Sequence, residues 1–128
     1  MAENRKKILI VDDDETFSQM VKMNLEEIGG FEVRVENNSL QALSSARAMQ
    51  PDLILLDMMM PDMDGGEVAR MLLMDPRLRR IPVIFLTGIV QEEELASSGG
   101  MMGGRHFIAK PVSTQKLIDD INRVLDRV

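Results

Sequence analysis

Ile8-Leu-Ile-Val11 is a short apolar run closed by Asp12-Asp13-Asp14. That is the pattern of a strand buried on both faces and stopped by residues that disfavour strand. The period then changes. Phe17, Met20, Val21, Leu25 and Ile28 fall at i, i+3, i+4, i+8 and i+11, one helical face, and Gly29-Gly30 supplies a stop. The alternation repeats with Phe31 to Val35 as strand, Leu40 to Met49 as helix, Leu53 to Leu56 as strand and roughly Gly66 to Met74 as helix. Pro51 and Pro76 punctuate it. Val83 to Leu86 and Phe107 to Ala109 read as two more strands, and Leu117, Ile118, Ile121, Val124 and Leu125 mark a last amphipathic helix after Ser113-Thr114. Five strands and about five helices result. Apolar strands alternating with helical patterns at this spacing predict right-handed βαβ crossovers, hence a parallel sheet with helices on both faces.

Between Thr87 and Phe107 the pattern weakens. Only Gln91 to Ser97 looks helical, and Ser97-Ser-Gly-Gly-Met-Met-Gly-Gly104 holds four glycines that favour mobility over helix. A short or frayed fourth helix is expected there. The rest of the chain carries no repeat, linker or low-complexity tail, so 128 residues predict a single domain spanning 1–128.

Composition narrows the function classes. With no cysteine there is no disulfide, no thiolate nucleophile and no sulfur-ligated metal. A net charge of −6 with four phenylalanines as the only aromatics lacks both the basic footprint and the stacking platform of direct nucleic-acid binding. No apolar run reaches the roughly 18 residues of a membrane helix, and Met1 to Lys7 lead into a strand-like segment. The expected location is cytoplasmic, with no membrane partner. Of the twelve methionines, Met20, Met23, Met49, Met71 and Met74 fall in helical segments, where core packing is expected. His106 is expected at the surface.

In an open parallel sheet, ligands bind beyond the carboxyl ends of the strands. At those ends stand Asp12, Asp13 and Asp14 after the first strand, Asp57 after the third, Thr87 after the fourth and Lys110 after the fifth. Packed carboxylates raise one another's pKa unless a cation intervenes, and oxygen ligands without His or Cys favour Mg²⁺ or a similar hard ion. One of the three successive aspartates is expected to cap the following helix instead. Lys110 precedes Pro111, which disfavours helix at the residue before it and holds the lysine in an extended turn.

Ile8-Leu-Ile-Val-Asp-Asp13, Leu55-Leu-Asp-Met-Met-Met-Pro-Asp-Met-Asp-Gly65, Phe85-Leu-Thr-Gly88 and Phe107-Ile-Ala-Lys-Pro111 resemble, in order and spacing, the receiver domain of two-component response regulators. The resemblance covers essentially the whole chain. It implies the flavodoxin-like, doubly wound α/β fold with five parallel strands in the order 2-1-3-4-5. It implies that Asp57 accepts a phosphoryl group from a histidine kinase or phosphotransfer protein, and that Mg²⁺ is held by Asp12, Asp13, Asp57 and the backbone carbonyl of Met59. Lys110 would pair with one phosphoryl oxygen and Thr87 would hydrogen-bond another. Phe107 occupies the aromatic switch position and would change rotamer with Thr87. The surface of the fourth helix, fifth strand and last helix would then change toward a downstream protein target or a second copy of the chain.

Four further positions bear on the resemblance. Phe107 stands where tyrosine is commoner, so a hydroxyl contact is lost. Gly88 follows Thr87 where a small residue is expected. Met59 and Ile89 occupy the two positions that tune phosphate hydrolysis, and as apolar residues they are expected to hinder the attacking water. The alternatives are a haloacid dehalogenase-like phosphatase, whose general acid two residues after the nucleophile is replaced here by Met59; a receiver-like interaction module that works without phosphorylation; and a plain α/β domain, against which the joint pattern at the strand ends speaks. A domain of this kind acts either alone through protein contacts or as one part of a longer regulator.

Overall fold

Successive residues of a strand point to opposite faces, so a strand apolar at every position must be covered on both sides. The computed structural model of the chain describes residues 5–88, 101–102, 105–110 and 113–126. The elements run β1 (Lys7–Val11), α1 (Glu15–Glu27), β2 (Glu32–Glu36), a 3-10 turn (Ser39–Gln41), α2 (Ala42–Met49), β3 (Leu53–Asp57), α3 (Gly65–Met74), β4 (Val83–Thr87), β5 (Met101–Met102), β6 (Arg105–Ala109) and α4 (Thr114–Leu125). The sheet order is β2-β1-β3-β4-β6-β5. The first five of these strands pair in parallel, in the 2-1-3-4-5 order of a doubly wound sheet.

The two sides of the sheet form two cores. Ile8, Ile10, Leu53, Leu55, Ile84 and Leu86 pack with Val21 and Leu25 of α1 and with Leu117, Ile121 and Val124 of α4. Their alternates Leu9, Val11, Ile54, Leu56 and Phe85 pack with Ala42 and Ala46 of α2 and with Val68, Ala69 and Leu72 of α3. Removing any one of these large side chains to alanine typically costs about 2–5 kcal/mol. The helices start on side-chain caps: Asp14 accepts from Phe17 N–H, Asp64 from Glu67 N–H and Ser113 from Lys116 N–H. Asp14 is thus the capping member of the aspartate triplet.

Three expectations are corrected. A sixth strand is present, because Met101 and Met102 pair antiparallel with His106 and Arg105 at the sheet edge. An edge position asks only for backbone hydrogen bonds, which a glycine-flanked pair can supply. Of the helical methionines only Met49 is core; Met20, Met23, Met71 and Met74 are exposed. The inner arc of α1 runs through Phe17, Val21 and Leu25, so Met20 and Ile28 fall outside it. His106 is half-buried rather than at the surface, since β6 has a neighbour on each side. The expected fourth helix at Gln91 to Ser97, and Ile89, lie outside the described residues.

Candidate functional site

Register brings the acidic residues together. Val11 pairs with Leu56 across β1 and β3, so Asp12 and Asp57 follow side by side at the carboxyl ends of adjacent strands. Asp12 is fully buried, Asp57 is buried and Asp13 is exposed, yet one carboxylate oxygen from each lies within 4.8 Å of the others. Asn37, which no motif or period in the sequence singles out, pins this end of β1 by donating its side-chain amide to the Asp12 carbonyl at 2.7 Å and to Ser18 Oγ at 2.9 Å.

Lys110 enters from β6. Thr87 pairs with Ala109, and the Lys110 N–H donates to the Thr87 carbonyl at 2.8 Å, which sets the lysine one step beyond the strand end. Its ammonium donates to Asp12 Oδ2 at 3.0 Å and to Asp57 Oδ1 at 3.3 Å. The same nitrogen sits 4.4 Å from the centroid of the Phe17 ring on α1. Phe17 is read from the sequence only as a helix-face residue; α1 and β6 are too far apart in sequence for spacing to signal the contact.

Burial, and then the negative charge of Asp12, push the Asp57 carboxyl up from 3.8 to about 6, although Lys110 and the Met59 N–H pull it back. Burial alone would lower the Lys110 ammonium, but hydrogen bonding and attraction from Asp12, followed by Asp57, hold it above its usual value. One cation therefore faces three carboxylates. The excess negative charge and the all-oxygen donor set fit a small hard dication, and the residues present suit Mg²⁺.

The loop after Asp57 is tight. The Gly65 N–H donates to the Met58 carbonyl at 3.0 Å, closing the loop on itself at the start of α3. Met59, in that loop, is 63% exposed and its N–H faces the Asp57 carboxylate. Thr87 is fully buried at the end of β4. Phe107 stands apart from the carboxylates, half-buried and stacked on Phe85 with ring centroids 5.0 Å apart.

A doubly wound parallel sheet with a carboxylate cluster and a lysine at its strand ends defines a class of phosphoryl-handling α/β domain. Within that class, residues 8–122 match the model of the response regulator receiver domain, and the chain belongs to that family. It is 37% identical over 122 residues to the polar-differentiation response regulator DivK of Brucella anthropi, covering 94% of this chain and 96% of that protein. It is 34% identical over 121 residues to the DNA-binding dual master transcriptional regulator RpaA of a Synechocystis strain, covering 94% of this chain but spanning only 49% of RpaA. Among solved structures, the chemotaxis protein CheY4 of Vibrio cholerae superimposes with a TM-score of 0.79 at 29% identity over 94% of this chain and 98% of that one. A response regulator from Desulfuromonas acetoxidans gives 0.80 at 31% identity, covering 96% and 98%. The chain is accordingly a receiver domain of two-component signalling, a family whose general role is a phosphorylation switch. No helix among the described residues is long and apolar enough to cross a membrane.

Proposed function

We propose that this receiver is switched by phosphorylation of Asp57. The observation that carries the reading is the Lys110 ammonium held 3.0 Å from Asp12 Oδ2 and 3.3 Å from Asp57 Oδ1, at the only carboxylate cluster found among the described residues. A carboxyl that titrates near 6 is mostly ionised at neutral pH and remains a nucleophile. A carboxylate oxygen of Asp57 forms a bond to phosphorus as the bond from phosphorus to the histidine nitrogen of a kinase or phosphotransfer protein breaks. The leaving imidazole keeps that electron pair and takes up a proton.

Asp12, Asp13, Asp57 and the Met59 carbonyl would hold Mg²⁺, which when bound neutralises phosphoryl charge and orients the group for in-line transfer. Lys110 pairs with one phosphoryl oxygen and the Thr87 hydroxyl donates to another. Movement of Thr87 toward the phosphoryl group frees space that Phe107 takes up by leaving its stack on Phe85. The surface of β6 and α4 then shifts its population toward a form that binds a downstream protein or a second copy of the chain. These events belong to the cytoplasm, where kinase and phosphodonor are found.

The test uses the wild-type protein with acetyl phosphate as donor, followed by intact mass and peptide mapping. A gain of about 80 Da on the peptide containing Asp57, present with Mg²⁺ and absent with chelator, is expected for nucleophilic capture of one phosphoryl group. No gain with any donor overturns the reading in favour of a phosphorylation-independent module. Met59 and Ile89 bear on how long the phosphoryl group stays. Met59→Asn gives a water molecule a hydrogen-bond partner at the exposed rim, and is expected to speed dephosphorylation about fivefold, the worth of one hydrogen bond of about 1 kcal/mol. Loss of the added mass over time, followed side by side, decides it; an unchanged or longer lifetime removes Met59 from this role.

A further inference from the structure

Two arms meet at the Lys110 ammonium. In one, it donates directly to Asp12 Oδ2 at 3.0 Å. In the other, Asp12 Oδ1 accepts from Asp14 N–H at 2.9 Å, Asp14 Oδ1 accepts from Phe17 N–H at 2.9 Å, and the Phe17 ring faces the ammonium with its centroid 4.4 Å away. Asp12, Asp14, Phe17 and Lys110 form a closed circuit. The Phe17 ring is half-buried and braced against the core shared by α1 and α4, so its position does not depend on the lysine.

We propose that Phe17 is a positioning residue for phosphoryl transfer, its ring face holding the Lys110 ammonium over the acceptor independently of the carboxylates. The proposal rests on the reading of Asp57 as acceptor. In that reading Asp12 and Asp57 each have a second task, as metal ligand and as nucleophile, and negative charge committed there is withdrawn from the ammonium. The ring carries no formal charge and no lone pair for a hard dication, so its hold on the lysine persists. Cation–π attraction strengthens as the pair is desolvated, and Lys110 is only 22% exposed at its side chain. A leucine at position 17 would keep most of the apolar contact but lacks the electron-rich face that attracts a cation; a tyrosine keeps that face.

Phe17→Leu and Phe17→Tyr separate these contributions with two readouts. The Asp14 cap grips the backbone of residue 17, so both variants should retain the wild-type circular dichroism spectrum and a single cooperative melt. In metal-free protein, the Lys110 Cε protons are expected to show an upfield ring-current shift in wild type and Phe17→Tyr and not in Phe17→Leu. With Mg²⁺ and acetyl phosphate, which needs no protein docking surface, Phe17→Leu should phosphorylate about 3- to 10-fold more slowly, the worth of one cation–π contact, and Phe17→Tyr within about 2-fold of wild type. Unshifted Lys110 protons in wild type would overturn the contact. Shifted protons with equal rates would make the ring packing alone, and equal slowing in both variants would make shape the cause; either overturns the proposal. If wild type takes up no phosphoryl group, the acceptor reading fails and the positioning role with it, while the proton shift still reports separately on the contact.

Discussion

Asp57→Asn is expected to take up no phosphoryl group and, in metal-free buffer at pH 7.5, to unfold at a higher temperature than wild type. The first effect follows from replacing a carboxylate nucleophile by an amide, which has no comparable electron pair to offer phosphorus. The second follows from the electrostatics of the unloaded site. Asp57 is buried beside Asp12, and its carboxyl titrates at about 6, well above the 3.8 of an exposed aspartate. The folded state therefore holds this proton more tightly than the unfolded state, and stability falls as pH rises from about 4 through about 6. Above pH 7 the full penalty is present. Asparagine occupies the same volume without the charge, and Lys110 keeps its bond to Asp12. The melting midpoint should rise by about 3–6 °C, what roughly 1 kcal/mol is worth in a domain of this size. The gain should shrink below pH 6 and vanish near pH 4. Thermal melts of both proteins at pH 4, 6 and 7.5 with chelator decide this; a variant less stable than wild type at pH 7.5 would mean that the Lys110–Asp57 attraction outweighs burial.

Gly65→Ala should damage both fold and site. A methyl group at this position would lie 2.4 Å from the Asp57 carbonyl oxygen and 2.9 Å from Met58 Cα. Both are backbone atoms of the Asp57–Met58 segment, held by the β3–β4 ladder on one side and by the Gly65 N–H to Met58 carbonyl bond on the other. No side chain can swing away to relieve the contact, so either α3 retreats or the Asp57 peptide shifts. Overpacking of this kind costs roughly 1–3 kcal/mol, and a rigid backbone neighbour places the expected loss at the upper end. In chemical denaturation the midpoint should fall with little change in slope. Phosphorylation by acetyl phosphate should slow at least tenfold, because displacements of about 1 Å at a reacting group cost on the order of 100-fold. A variant with wild-type stability and rate would show that the loop yields freely.

Gly66→Ala is the natural control for this argument. A methyl group there meets only the Asp64 carboxylate at 3.3 Å, a side chain on the exposed rim. The two glycines are adjacent in sequence and indistinguishable by pattern. Only the approach of β3 to the start of α3 separates them.

Much of this molecule is decided locally. The strands are legible because Ile8 to Val11, Leu53 to Leu56 and Val83 to Leu86 are apolar on both faces, a pattern that only a sheet covered on both sides can satisfy. The helix starts are legible because Asp14, Asp64 and Ser113 offer side-chain oxygens where orphan N–H groups need them. Parallel strands put all their carboxyl ends on one rim, so the positions of Asp12, Asp57, Thr87 and Lys110 at strand ends assign them to a common edge. What periodicity could not reveal is which positions on a helix arc reach the core: Met20 and Ile28 lie at its edges, and neighbouring elements decide their exposure.

The amino-acid sequence by itself therefore determined the layered α/β architecture, the family and the acidic rim, because each rests on short-range signals: strand period, caps, and residues at strand ends. Tertiary structure alone decided that Asp57 is buried against Asp12, that Lys110 bridges them, that Phe17 covers the lysine, that Gly65 admits no side chain and that a two-residue strand closes the sheet edge. Each of these joins residues far apart in the chain or depends on a backbone approach. The physical reason is that burial, charge coupling and close packing act through distances in space, which residue spacing along one element does not encode.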